Sequence, residues 1–155
     1  MPVRIVIADD HRILRAGLKT LLSGDPDIQV VGEATTGGEA LKVAKTLHPD
    51  VLLMDIGMPG NEKLEATRQI IEAIPDIHVL MLTMYEDSAL LKECLRIGAH
   101  GYIIKRAAES ELIDAIHAVQ RGIIYIHPSL MPAPVAKLAA IGSKKSLGVD
   151  TLTSR

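Results

Sequence analysis

Five short apolar, β-branched runs alternate with five stretches whose apolar residues recur at helical spacing, and this alternation leaves few folds open to the chain. The runs lie at residues 3–8, 28–34, 51–54, 77–82 and 101–104. Each is too short for a helix and stands near a turn signal, so each predicts a strand. Between them, Leu14, Leu18, Leu21 and Leu22 make one helical face and Ala40, Val43, Ala44 and Leu47 a second. Leu64, Thr67, Ile71 and Ile74 make a third, Leu90, Leu91, Cys94 and Leu95 a fourth, and Leu112, Ile116 and Val119 a fifth. Pro26, Pro49 and Pro75 fall between a helical stretch and the next strand, where a residue without an amide hydrogen stops a helix, and Gly24 and Gly98 occupy C-cap positions. Strict β-α alternation implies right-handed crossovers and a parallel sheet covered on both faces, which accounts for the almost unbroken apolar character of 51–54 and 77–82. The predicted class is a doubly wound α/β fold, whose ligand chemistry sits beyond the carboxyl ends of the strands.

The five pairs use about 120 of the 155 residues, so we expect one domain over 1–121 and an appendage. Residues 122–127 could add a short strand. As a whole, 122–151 mixes Pro, Gly, Ser and Lys around a weak helical patch at 135–141 and predicts a linker. Charge divides the same way, with 12 Lys+Arg against 18 Asp+Glu in 1–120 and 5 against 1 in 121–155. An acidic body argues against a generally basic nucleic-acid binder. Only Tyr85, Tyr102 and Tyr125 are aromatic, which argues against a stacking surface for single-stranded nucleic acid and requires an aliphatic core. The single cysteine, Cys94, allows no internal disulfide, and its helical position predicts a small core hydrophobe. No apolar run approaches the roughly 18 residues that span a bilayer, so the expectation is a soluble cytoplasmic protein with no membrane contact.

The strand ends carry the chemistry. The first strand ends in Asp9 and Asp10, the third in Asp55, the fourth in Thr83 and the fifth in Lys105. Each alone has an ordinary structural explanation as a cap, a packed hydroxyl or a solvated amine. Together, three carboxylates at one sheet edge repel one another unless a cation lies among them. Mg²⁺ takes oxygen ligands and shares them with phosphate, while an amine and a hydroxyl suit phosphoryl oxygens. The set describes phosphoryl transfer to a carboxylate. The six histidines show no spacing typical of a zinc site and read as surface or packing residues.

The strings VRIVIADDHRILRAGLKTLL, DVLLMDIGMPG, LEATRQI, VLMLTMYEDS and GAHGYIIK resemble the receiver domain of two-component response regulators, and more closely its NarL/FixJ branch, across about residues 2–120. The resemblance implies a flavodoxin-like (βα)5 fold with a five-stranded sheet in the order 2-1-3-4-5. It implies phosphorylation of Asp55 by a histidine kinase, with Mg²⁺ held by Asp9, Asp10, Asp55 and the backbone carbonyl of Gly57. Thr83 and Lys105 would contact the phosphoryl oxygens. Thr83 and Tyr102 would form the switch, the hydroxyl moving toward the phosphate and the ring turning into the space it leaves. The fourth helix, fifth strand and fifth helix would then be remodelled. The resemblance further implies homodimerisation on phosphorylation and DNA binding through a LuxR-type helix-turn-helix domain. Residues 152–155 read like the first four positions of that domain, which predicts a chain cut at its threshold, unable by itself to bind DNA specifically.

Two departures stand out. Glu62 and Lys63 occupy positions where the family has Asn or Asp and then Gly, so a lysine must either adopt a glycine's backbone geometry at a steric cost or displace the loop. Arg106 replaces the proline that often follows the lysine, which predicts a trans bond. Two rival functions follow: a receiver acting through protein contacts without phosphate, and a small Mg²⁺ phosphatase. The phosphatase is disfavoured because Gly57 stands where a second aspartate would be needed. The acceptor reading implies no enzyme beyond self-phosphorylation and autodephosphorylation.

Overall fold

The computed structural model describes residues 2–84 and 86–128, and within them the alternation folds as six parallel strands with five helices. In chain order these are β1 (Val3–Ala8), α1 (Arg12–Ser23), β2 (Ile28–Ala34), α2 (Gly37–Leu47), β3 (Val51–Asp55), α3 (Glu65–Ala73), β4 (His78–Thr83), α4 (Ser88–Arg96), β5 (Gly101–Ile104), α5 (Ala108–Gln120) and β6 (Tyr125–Ile126). The sheet order is β2-β1-β3-β4-β5-β6, the expected order with one strand added at the β5 edge. The candidate strand at 122–127 is therefore real but only two residues long. The helical patch at 135–141, residues 152–155 and Tyr85 lie outside the described residues.

Side chains on the central strands alternate between two apolar layers. Val6, Ala8, Leu52, Met54, Val79 and Met81 pack with α2, α3 and α4. Ile5, Ile7, Val51, Leu53, Leu80 and Leu82 pack with α1 and α5. A strand with helices on both faces has no wet side, so β3 is buried at every position. The expected faces of α1, α2, α4 and α5 are the ones that point inward, through Leu18 and Leu22, Ala40 and Ala44, Leu91 and Cys94, and Leu112, Ile116 and Val119. Burial pushes the Cys94 thiol up to about 12, which keeps it protonated and fits its role as a packed hydrophobe. At the start of α2 the Thr36 hydroxyl accepts from the Glu39 N–H, and the Glu39 carboxylate accepts from the Thr35 N–H. Asp87 caps α4 by accepting from the Leu90 N–H.

The third helix departs from expectation. Leu64 is buried but precedes α3, closing a 3-10 turn at Glu62–Leu64, and the buried face of the helix itself is Ala66, Thr67 and Ile70. Lys63 takes the left-handed geometry with φ 53°, and Leu64 follows it with φ 60°. The loop thus keeps the glycine-like path and accepts the steric cost. Asn61, buried inside it, enforces the path: its side-chain oxygen accepts from both the N–H and the hydroxyl of Thr67. Gly60, with φ 87°, packs so tightly on Gly37 that a Cβ on Gly37 would lie 2.2 Å from the Gly60 carbonyl oxygen. Replacing Lys63 with Gly should remove a left-handed penalty and raise stability by up to about 1 kcal/mol, net of the greater freedom of glycine in the unfolded chain. Urea unfolding measures it, and a loss of stability would show that the lysine is not strained.

A second expected outcome concerns His100, which meets His78 edge to face at 4.8 Å between ring centres. Its Nδ1 accepts from the Val79 N–H, a bond available only to the unprotonated nitrogen. Burial first, and His78 second, hold its pKa below the ordinary 6.5. A base with a depressed folded pKa contributes stability that is whole above 6.5 and is lost as pH falls through the folded value. Urea midpoints should drop between pH 7.5 and pH 5, and drop less in His100→Gln; equal slopes for the two proteins would refute this.

Candidate functional site

Register brings the strand ends together. Ala8 pairs with Met54, and Asp55 pairs with Leu82, so Asp9 and Asp55 leave adjacent strands side by side. Thr83 pairs with Ile104, which places Lys105 one step beyond the hydroxyl. Lys105 itself opens a 3-10 turn that leads into α5. No cis peptide bond occurs among the described residues, so the Lys105 to Arg106 bond is trans, as expected without proline.

At this edge Asp9, Asp55, Thr83 and Lys105 are buried, whereas Asp10 is exposed. The Lys105 ammonium lies 2.9 Å from Asp9 Oδ2 and 3.1 Å from Asp55 Oδ2. Its third near neighbour is His11 Nδ1, at 3.1 Å. The remaining oxygens are held by the backbone: Asp9 Oδ1 accepts from the His11 N–H at 2.7 Å, and Asp55 Oδ1 from the Gly57 N–H at 3.0 Å. Arg15 fastens the end of β1 by donating to the Asp9 carbonyl while also bonding Glu33 on β2.

One ammonium facing two buried carboxylates leaves the pocket electron-rich. Burial raises the Asp55 pKa above its ordinary value, Lys105 opposes that rise, and Asp9 adds to it. A single oxygen each from Asp9, Asp10 and Asp55, together with a His11 ring nitrogen, lie within 4.8 Å of one another. Three hard oxygen donors at one point, with uncompensated negative charge, fit a divalent cation. Gly57 lies two residues past Asp55 and touches its carboxylate through the N–H.

Tyr102 is fully buried, on the layer shared with Leu91, Cys94 and Ala99. Burial pushes its hydroxyl up to about 12, and the Thr83 side chain at that hydroxyl draws it part of the way back. The two residues assigned to a switch are therefore in contact. Asp9, Asp10, Asp55, Gly57, Thr83 and Lys105 lie at one edge of the sheet, whereas Tyr102 lies inside β5, within the apolar layer. What the sequence reading missed is His11, which was taken as a surface or packing histidine, and Asn61, which governs the loop after Asp55. Its place directly after two strand-end aspartates was the available signal for His11. His11 Nδ1 lies 3.1 Å from both the Lys105 ammonium and Asp9 Oδ1, so the ring stands beside the amine and one of its carboxylate partners.

A family model described as the response regulator receiver domain matches residues 5–117. Over 129 residues the chain is 45% identical to the oxygen regulatory protein NreC of Staphylococcus carnosus, covering 83% of this chain and 59% of that protein. It is 34% identical to the transcriptional regulatory protein LiaR of Bacillus subtilis, covering 99% of this chain and 72% of that protein. Among solved structures, a LuxR-family two-component response regulator from Aurantimonas sp. SI85-9A1 superposes with a TM-score of 0.79 at 32% identity, over 91% of this chain and 99% of that one. The isolated receiver domain of RcsB from Salmonella enterica serovar Typhimurium, determined with the phosphomimetic BeF3−, gives 0.76 at 27% identity, over 84% and 96%. The two curated relatives are longer than this chain, which spans 59% of NreC and 72% of LiaR.

Proposed function

Because this chain belongs to the response regulator receiver domain family, in its NarL/LuxR-type branch, we propose that Asp55 accepts a phosphoryl group from a sensor histidine kinase. In the longer protein, the resulting change would act on transcription through a DNA-binding domain. The observation that best supports the reading is the Asp9, Asp55 and Lys105 cluster, two buried carboxylates sharing one ammonium at 2.9 and 3.1 Å.

An oxygen of Asp55 attacks phosphorus, the new O–P bond forms as the donor's bond to phosphorus breaks, and the product is an aspartyl phosphate. The ammonium of Lys105 opposes the rise in Asp55 pKa, favouring the anion that attacks. It then becomes available to a phosphoryl oxygen, as does the Thr83 hydroxyl. Mg²⁺ is the cofactor of this reading, held by Asp9, Asp10, Asp55 and the Gly57 carbonyl, and when bound it supplies positive charge to the transferred group. The chain acts as an acceptor rather than a turnover enzyme, in the cytoplasm, and pairs with a second copy when phosphorylated. No helix among the described residues is long and apolar enough to cross a membrane.

Incubation with acetyl phosphate and Mg²⁺ should add one phosphoryl mass to the protein and none to Asp55→Asn. An adduct that survives the substitution, or none on the unaltered chain, refutes the assignment. The consecutive left-handed residues Lys63 and Leu64 favour one alternative, a receiver that works by protein contacts without phosphate because its loop cannot respond. Self-association that is the same with and without beryllofluoride would select it.

A further inference from the structure

The short strand β6 is bonded to the strand that carries Tyr102. The Tyr125 N–H donates to the His100 carbonyl and the His127 N–H to the Tyr102 carbonyl, both at 3.0 Å. Tyr102 and Ile126 are register partners, and Ile126 packs against the apolar layer that contains the Tyr102 ring. On its other side β5 pairs with β4, whose last residue is Thr83. A continuous path of neighbours thus runs from the phosphoryl-contacting hydroxyl, through Tyr102, to the point where the chain leaves the domain.

Two residues make too short a strand to hold themselves on a sheet edge. A side-chain pin supplies the rest. Glu111 on α5 accepts from the Tyr125 hydroxyl with Oε1 at 2.7 Å, and its Oε2 lies 2.6 Å from His127 Nδ1. One carboxylate thereby meets both residues that flank Ile126, bonded to the Tyr125 hydroxyl and at ion-pair distance from the His127 ring. Gly101 completes the seat, because a Cβ there would lie 3.1 Å from the Tyr125 carbonyl oxygen and 2.4 Å from Leu80.

We propose that β6 is an output strand: the state of the Asp55 pocket reaches residues 125–127 through the backbone bond from His127 to Tyr102, and Glu111 sets how firmly they are held. This rests on the phosphoryl reading given above. A ligand that draws Thr83 toward Asp55 keeps the ring of Tyr102 inside, and a fixed ring keeps Ile126 and its strand seated. Loosening of the ring frees Ile126 first, since among the described residues no strand lies beyond β6 in the sheet.

Amide hydrogen exchange on the full chain tests this. With Mg²⁺ and beryllofluoride, protection of the Tyr125 and His127 amides should rise at least about tenfold. In Glu111→Gln and in Tyr125→Phe, protection of these two amides without ligand should fall by a similar factor of about ten, while those of Val79 and Leu53 hold. A response at Gly57 with none at Tyr125 and His127 overturns the coupling alone. No response at Gly57 overturns the phosphoryl reading and removes the coupling with it. A uniform loss of protection across the sheet in the variants shows that Glu111 supports the fold and is not the pin.

Discussion

Lys105→Ala is expected to lose roughly 3 kcal/mol of stability in metal-free buffer at neutral pH, because removing one partner of a buried ion pair leaves the other charge uncompensated. Here two carboxylates are left, since the same ammonium serves Asp9 and Asp55. The pH dependence gives the cause away. Asp55 has a raised pKa even with Lys105 present, so between its ordinary and its folded pKa the native state holds a proton that the unfolded chain has released. Its cost is absent below the ordinary value of 3.8 and grows as pH rises from there through the folded pKa. Without the amine the folded pKa rises further and the cost extends to higher pH. Urea unfolding in EDTA at pH 5 and pH 8 should therefore show the variant losing more at pH 8, with millimolar Mg²⁺ restoring much of the difference. Asp55→Asn should move the other way and gain stability at pH 8. A deficit in Lys105→Ala that ignores both pH and Mg²⁺ would mean that the lysine contributes packing and not charge.

That one amine binds three groups explains which parts of the site could be read from the chain. Asp9, Asp55, Thr83 and Lys105 are legible because a doubly wound parallel sheet assembles the residues that end its strands, and the strands announce themselves by being apolar on both faces. His11 ends no strand. Its role depends on the turn between β1 and α1, where Asp9 captures its N–H and the ring folds back over Lys105. Asn61 is equally invisible, since a buried polar side chain in a loop has no periodicity to reveal it. The start of α3 differs from expectation for a related reason: Leu64 has the right spacing for the helical face, but the left-handed pair at 63 and 64 leaves it at the N-cap, just outside the helix. The last strand was half legible, because 125–126 has the composition of a strand while the contact that secures it comes from Glu111, on the preceding helix.

Tyr102→Ala should be among the most damaging single changes in the core, costing about 3–5 kcal/mol, the range for truncating a buried aromatic. The scarcity of aromatics makes the size of the hole severe, for there is no Phe or Trp in the chain to fill it. The neighbours in that layer are Leu91 and Cys94 on α4, Ile104 on β5 and Ala99 in the connection between them, aliphatic or small residues that cannot close around the space. Tyr102→Phe separates packing from signalling. It keeps the ring and removes only a hydroxyl whose deprotonation burial already opposes and which Thr83 contacts. Its stability loss should stay within about 1 kcal/mol, the usual net worth of one hydrogen bond. If Thr83 reads the pocket through that hydroxyl, Tyr102→Phe should still take up beryllofluoride at Asp55, yet show a weakened rise in protection at β4 and β5. Chemical denaturation and hydrogen exchange on the two variants measure both effects. A Tyr102→Phe protein as unstable as Tyr102→Ala would place the energy in the hydroxyl, and an unchanged exchange response would leave Tyr102 a packing residue with no part in the switch.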